Sequence, residues 1–108
     1  MKSIYPDIAS LLLELEMELR TLELWDAEPP GPEALASTQP FCVDTLTLPQ
    51  WLQFVFLPRM SQLVEREHPL PQKCGIAPMA EEYFRGLDLP SAGLTRKLIE
   101  IDERLERG

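Results

Sequence analysis

The chain has 108 residues, of which 44% are hydrophobic and 26% charged, with 11 prolines, 5 glycines and a formal net charge of −8. A chain of that length buries one hydrophobic core, and its composition is globular, not disordered. The acidity works against direct binding of nucleic acid or of an anionic membrane surface, because both need clustered Lys and Arg.

The first 28 residues hold seven acids against Lys2 and Arg20. Within them Ile4, Ile8, Leu11, Leu15, Leu19, Leu22 and Trp25 recur at steps of three and four, which predicts one apolar face of a helix. Leu12, Leu13, Met17 and Leu24 widen that face, so the helix should meet two neighbours. Pro6 and Asp7 suit its first turn. It has to end before Glu28-Pro29-Pro30-Gly31-Pro32. Glu33-Ala34-Leu35-Ala36 could form a single turn ahead of Pro40.

Thr47-Leu48-Pro49-Gln50 fits a capping box at the start of a second helix. Trp51-Leu52-Gln53-Phe54-Val55-Phe56-Leu57 follows, apolar nearly all round, as in a central helix. Pro58 lies inside the pattern, which resumes at Met60, Leu63 and Val64, so a kinked but continuous helix is expected. His68-Pro69 closes it. A linker with Pro69, Pro71 and Gly75 leads to a short helix opened by Pro78 and capped near Gly86. The last helix starts near Ser91 and carries Leu94, Leu98, Ile101 and Leu105 on one face. No segment alternates as a strand does. These elements predict one all-α domain over residues 1–108, a small four-helix bundle with a proline-kinked central helix. Its expected core includes Leu15, Leu22, Trp51, Leu52, Val55, Leu63, Leu98 and Ile101.

No run approaches the roughly 20 apolar residues that span a bilayer. The N-terminus lacks a signal-peptide pattern. A cytoplasmic location is expected, and with it free thiols at Cys42 and Cys74. No cofactor or metal is expected. Glu65 and His68 have the Glu-x-x-His spacing of di-metal bundles, but the chain has a single histidine, and it precedes a proline, where helical geometry is disfavoured. Serines and threonines lack a local histidine partner, and no glycine loop could cradle a phosphate. The chain therefore reads as a non-enzyme.

Four residues are candidates for a groove. Gln53 is the lone polar residue in an apolar run, satisfied by nearby backbone or facing a groove. Asp44 caps a turn or presents a carboxylate beside Trp51. Glu81 stands in the first turn of the third helix. Together they frame one reading, a small-molecule binder using a groove near Asp44, Trp51, Gln53 and Glu81.

Pro40-Phe41-Cys42-Val43-Asp44-Thr45, then Trp51-Leu52-Gln53-Phe54-Val55-Phe56-Leu57-Pro58-Arg59-Met60, and Ile76-Ala77-Pro78-Met79-Ala80-Glu81-Glu82 resemble the YqcC-like family of small bacterial proteins. The resemblance covers nearly the whole chain and implies a four-helix bundle. It brings no assigned activity, cofactor or catalytic residue. Genes of the family often lie beside that for tRNA pseudouridine synthase C, which is an association and not a mechanism. The preferred reading is an accessory module whose partner is a protein, with an RNA-modifying enzyme as candidate. An acidic helix would steer onto a basic surface through Glu14, Glu18 and Glu23.

Overall fold

The structure, a computed structural model, describes residues 3–72 and 75–107. Cys74 lies outside them. Cys42 is a buried free thiol. Four helices longer than two turns build the fold: α1 (Tyr5–Thr21), α2 (48–65), α3 (Ile76–Phe84) and α4 (Ala92–Arg107). Pro32–Leu35 and Pro40–Cys42 add single turns in the long connection from α1 to α2. No strand occurs among the described residues.

The 3.6-residue period decides what each helix buries. Ile8, Leu15 and Leu19 of α1 and Leu94, Leu98 and Ile101 of α4 are fully buried, and the two helices lie against each other along this seam. Leu52 and Met60 of α2 and Ile76 and Ala80 of α3 close the same core. α1 meets both α2 and α4, the two neighbours its wide stripe calls for. Leu13 and Met17 depart from that expectation and stay 65% and 66% exposed. Of the expected core, Leu15, Leu52, Leu98 and Ile101 are buried, while Leu22, Trp51, Val55 and Leu63 are only half-buried.

Two helix ends use a device that the sequence hides. α1 stops at Thr21, short of Leu22 and Trp25. Glu23 adopts φ 60, its N–H donates to the Arg20 carbonyl, and the Leu24 N–H reaches the Leu19 carbonyl at 2.9 Å. That is a Schellman ending with glutamate in the place glycine usually takes. α2 ends the same way, with Glu67 at φ 51 and the His68 N–H on the Leu63 carbonyl. His68 is thus past the helix end, so Glu65 and His68 do not share a helical face as a metal pair would.

The capping box is present in full. Gln50 N–H donates to Thr47 Oγ1, and Thr47 N–H donates to Gln50 Oε1. Pro58 does lie inside a continuous helix, since Leu48–Trp51, Leu52–Phe56 and Leu57–Glu65 run on without a break. The middle segment is a π turn, in which the Leu57 N–H donates to the Leu52 carbonyl five residues back. A proline ring crowds the carbonyl four residues before it, here that of Phe54. Widening the preceding turn relieves that crowding.

The N-terminus of α3 is capped from another helix. Gly75 takes a left-handed φ of 62 and offers no side chain. The Asp102 carboxylate of α4 instead accepts the Ala77 N–H at 2.8 Å and the Ile76 N–H at 3.4 Å. This contact ties α3 to α4 and places a negative charge at a helix N-terminus. Asp102→Ala is expected to lose about 1–3 kcal/mol in urea denaturation, and Asp102→Asn, which keeps an acceptor, less than half of that.

Candidate functional site

The candidate groove residues part company in the structure. Gln53 is buried, and its amide grips the backbone of one residue in the α1–α2 connection. Gln53 Oε1 accepts the Asp26 N–H and Gln53 Nε2 donates to the Asp26 carbonyl, both at 2.8 Å. Gln50 Nε2 adds a bond to the Asp26 carboxylate at 3.3 Å. The Gln53 amide is therefore a clasp that fixes the chain after α1, and it is not free for a ligand. Asp44 is exposed and accepts the Ser37 hydroxyl inside its own loop. Glu81 is exposed on α3. Trp51 alone of the four lines a groove.

That groove has a volume of about 300 Å³ and is lined chiefly by Phe41, Trp51, Val55, Phe56, Met60 and Arg59. The π turn shapes it. In a regular helix, residues five apart diverge by about 140° around the axis. Here the wide turn brings Trp51 and Phe56 onto one side, their rings stacked 5.5 Å apart with 28° between planes. Phe41 meets Trp51 edge-on at 4.8 Å. It does so from a left-handed backbone, with φ 57 at Phe41 and 50 at Cys42, which costs about 1 kcal/mol or more at each residue. Burial of the Cys42 side chain and the Phe41–Trp51 contact offset that strain. Phe41, Phe56 and Arg59 were legible in the sequence only as a loop aromatic, a core residue and a surface cation. What joins them is the π turn, which Pro58 signals only as a distortion of the helix, and a strained loop, which has no sequence signature of its own.

The three acids of the expected docking face stand in different local settings. Glu14 forms an ion pair with Lys97 of α4 at 3.0 Å, and Glu100 holds the same ammonium at 3.1 Å. Hydrogen bonds donated by the Lys97 ammonium to Glu14 first and Glu100 second raise its pKa above the usual lysine value. The Glu18 carboxylate lies against Gly93 in the first turn of α4, so close that an added Cβ would sit 2.8 Å from its Oε2. Glu23 is the left-handed residue that ends α1. Glu14 and Glu18, one turn apart on α1, thus both lie on the side of the helix that meets α4, and Glu23 follows just past the helix end.

The exposed apolar surface of α1 lies elsewhere. Leu13 and Met17 stand one turn apart, and Leu13 borders a shallow groove with Ala9, Leu12, Leu57 and Val64. Among the described residues no cluster of His, Cys, Asp and Glu could hold a metal ion. No described helix is long and apolar enough to cross a membrane.

The chain is similar to several known proteins. A family model, DUF446, described as tRNA pseudouridine synthase C, matches residues 7–104. An "Uncharacterized protein" of Haemophilus influenzae is 44% identical over 74 residues, which is 68% of this chain and 70% of that protein. YqcC of Escherichia coli is 41% identical over 70 residues, 65% of this chain and 64% of that one. A protein of Pectobacterium carotovorum named tRNA pseudouridine synthase C is 46% identical over 75 residues, or 69% of this chain but only 20% of that protein. The solution NMR structure of protein YqcC from E. coli superposes with a TM-score of 0.82 at 32% identity, covering 97% of this chain and 90% of that one.

Proposed function

Since the chain belongs to the YqcC-like family of small bacterial helical proteins, we propose that it is a non-enzymatic accessory module that docks on a tRNA pseudouridine synthase in the cytoplasm. One observation carries the reading. In the Pectobacterium protein named tRNA pseudouridine synthase C, the stretch similar to this chain takes up about a fifth of the length. There the stretch and the remaining four fifths are one polypeptide. Where such a stretch is a separate polypeptide, proximity comes from binding instead of from a peptide bond.

Charge and surface chemistry agree with this. An enzyme that holds tRNA needs a basic surface, and a partner with a net charge of −8 is drawn to such a surface. Contact affinity then comes from apolar anchors, and Leu13 and Met17 are the exposed large side chains of α1. Because Glu14 is paired with Lys97 and Glu18 lies against Gly93 of α4, the Leu13–Met17 pair is the face to test.

The experiment is isothermal titration of the chain with the tRNA pseudouridine synthase C from the same cell, at physiological salt. Micromolar binding is expected, with Leu13→Asp/Met17→Asp weakening it at least tenfold at an unchanged melting temperature. Absence of a complex at 100 μM, or labelled tRNA binding to the chain alone at the same salt, overturns the reading.

A further inference from the structure

We propose that the groove beside Trp51 is a binding site for a small apolar carboxylate, an aromatic or branched aliphatic body carrying one negative charge. This inference is independent of the docking reading, which concerns an exposed face of α1, whereas the groove is built from α2 and its flanking loops. Three observations carry it.

The first is size and lining. About 300 Å³ is at the small end of the range for ligand sites, which are typically apolar with a few polar groups that set orientation. Here Phe41, Trp51, Val55, Phe56 and Met60 supply the apolar part, and rings that meet edge-on and stacked present both faces and edges to a ligand.

The second is charge. The chain carries 18 acids against 10 Lys and Arg, yet no acid lines this groove and one arginine does. Among the described residues Arg59 forms no ion pair, nor do Arg66, Arg96 and Arg107, but Arg59 alone of these lines the groove. A guanidinium at the edge of an apolar slot complements a carboxylate, which it can grip with two parallel N–H bonds. A phosphate dianion fits less well, because a single cation would leave part of its charge uncompensated against apolar walls.

The third is structural cost. The π turn and the two successive left-handed residues are separate departures from regular backbone, and both end at this groove. π turns and strained non-glycine residues concentrate at functional sites. The wide turn puts Phe56 beside Trp51, and the strained loop brings Phe41 against the same ring.

The test uses the whole chain, labelled with nitrogen-15, and three probes of one shape: 4-phenylbutyrate, 4-phenylbutan-1-ol and 4-phenylbutylammonium. The indole N–H of Trp51 reports on the groove and that of Trp25, held under Arg20, serves as the internal control. 4-Phenylbutyrate is expected to shift Trp51 and the amides of residues 55–57, 59 and 60 with a roughly millimolar dissociation constant, leaving Trp25 still. The alcohol should bind about tenfold more weakly, and the ammonium more weakly again. Arg59→Gln, an exposed substitution, should erase the difference between carboxylate and alcohol without lowering the melting temperature. The proposal is overturned by equal affinity for all three probes, by Trp25 and Trp51 moving together, or by a carboxylate preference that survives Arg59→Gln. No shift at Trp51 with 20 mM carboxylate overturns it as well.

Discussion

Leu98→Ala is expected to destabilise the protein by about 3–5 kcal/mol, more than Trp51→Ala, which removes a much larger ring. Leu98 is fully buried in the seam between α1 and α4, among Ile8, Leu15, Leu94 and Ile101. Truncating it forfeits the transfer free energy of three carbons and leaves a cavity that two rigid helices cannot collapse into. Trp51 is half-buried and lines an open groove, so water can occupy what its ring vacates. Its loss removes the contacts to Phe41 and Phe56 and should cost about 2 kcal/mol. Urea denaturation of both variants checks the order. A loss below 1 kcal/mol for Leu98→Ala, or a larger loss for Trp51→Ala, would mean that the core is centred on the groove and not on the α1–α4 seam.

The difference between these two residues marks how far the sequence could be read. The seam was legible because period alone defines it. Leu94, Leu98, Ile101 and Leu105 stand on one face whatever the neighbours are, and all four are buried. The capping box was legible for the same reason, since its two hydrogen bonds join residues three apart. Trp51 was assigned to the core because it opens a run that is apolar nearly all round, a pattern that says nothing about a groove. The stripe from Ile4 to Trp25 read as one helix because its apolar residues keep steps of three and four throughout. The chain leaves the helix at Thr21 even so, since Glu23 accepts a left-handed φ that usually falls to glycine. What compensates lies far away in sequence: Gln53 grips Asp26, 27 residues before it, and Arg20 stacks over Trp25 at 4.4 Å. Such long-range pairings leave no periodic trace. Neither did the ion pair of Glu14 with Lys97, which links α1 to α4 at the half-exposed surface of the bundle.

The Gln53 clasp yields the second large effect, and it depends on pH. Gln53→Glu keeps the shape of the side chain and changes one group. At neutral pH the carboxylate can still accept the Asp26 N–H, but it has no proton to offer the Asp26 carbonyl. Two oxygens then face each other across the 2.8 Å now bridged by Gln53 Nε2, and a charge is buried beside them. The expected loss is about 3 kcal/mol. Protonation restores one donor and one acceptor, the same pair that glutamine presents. The fold therefore favours the neutral acid and raises its pKa above the unfolded value of about 4.3. For an acid raised in this way, the folded state binds the proton more tightly than the unfolded chain does. The deficit relative to the parent is thus near zero below about pH 4.3, grows as pH rises, and is complete above the folded-state pKa. Urea denaturation of variant and parent from pH 4 to pH 8 reads this as a difference, so titrations common to both cancel. Gln53→Ala, with no proton to gain, should lose about 2–3 kcal/mol at every pH. A Gln53→Glu deficit that stays flat across the range would show that the Asp26 backbone can turn to water when the amide is removed, and that the clasp does not hold the connection after α1 in place.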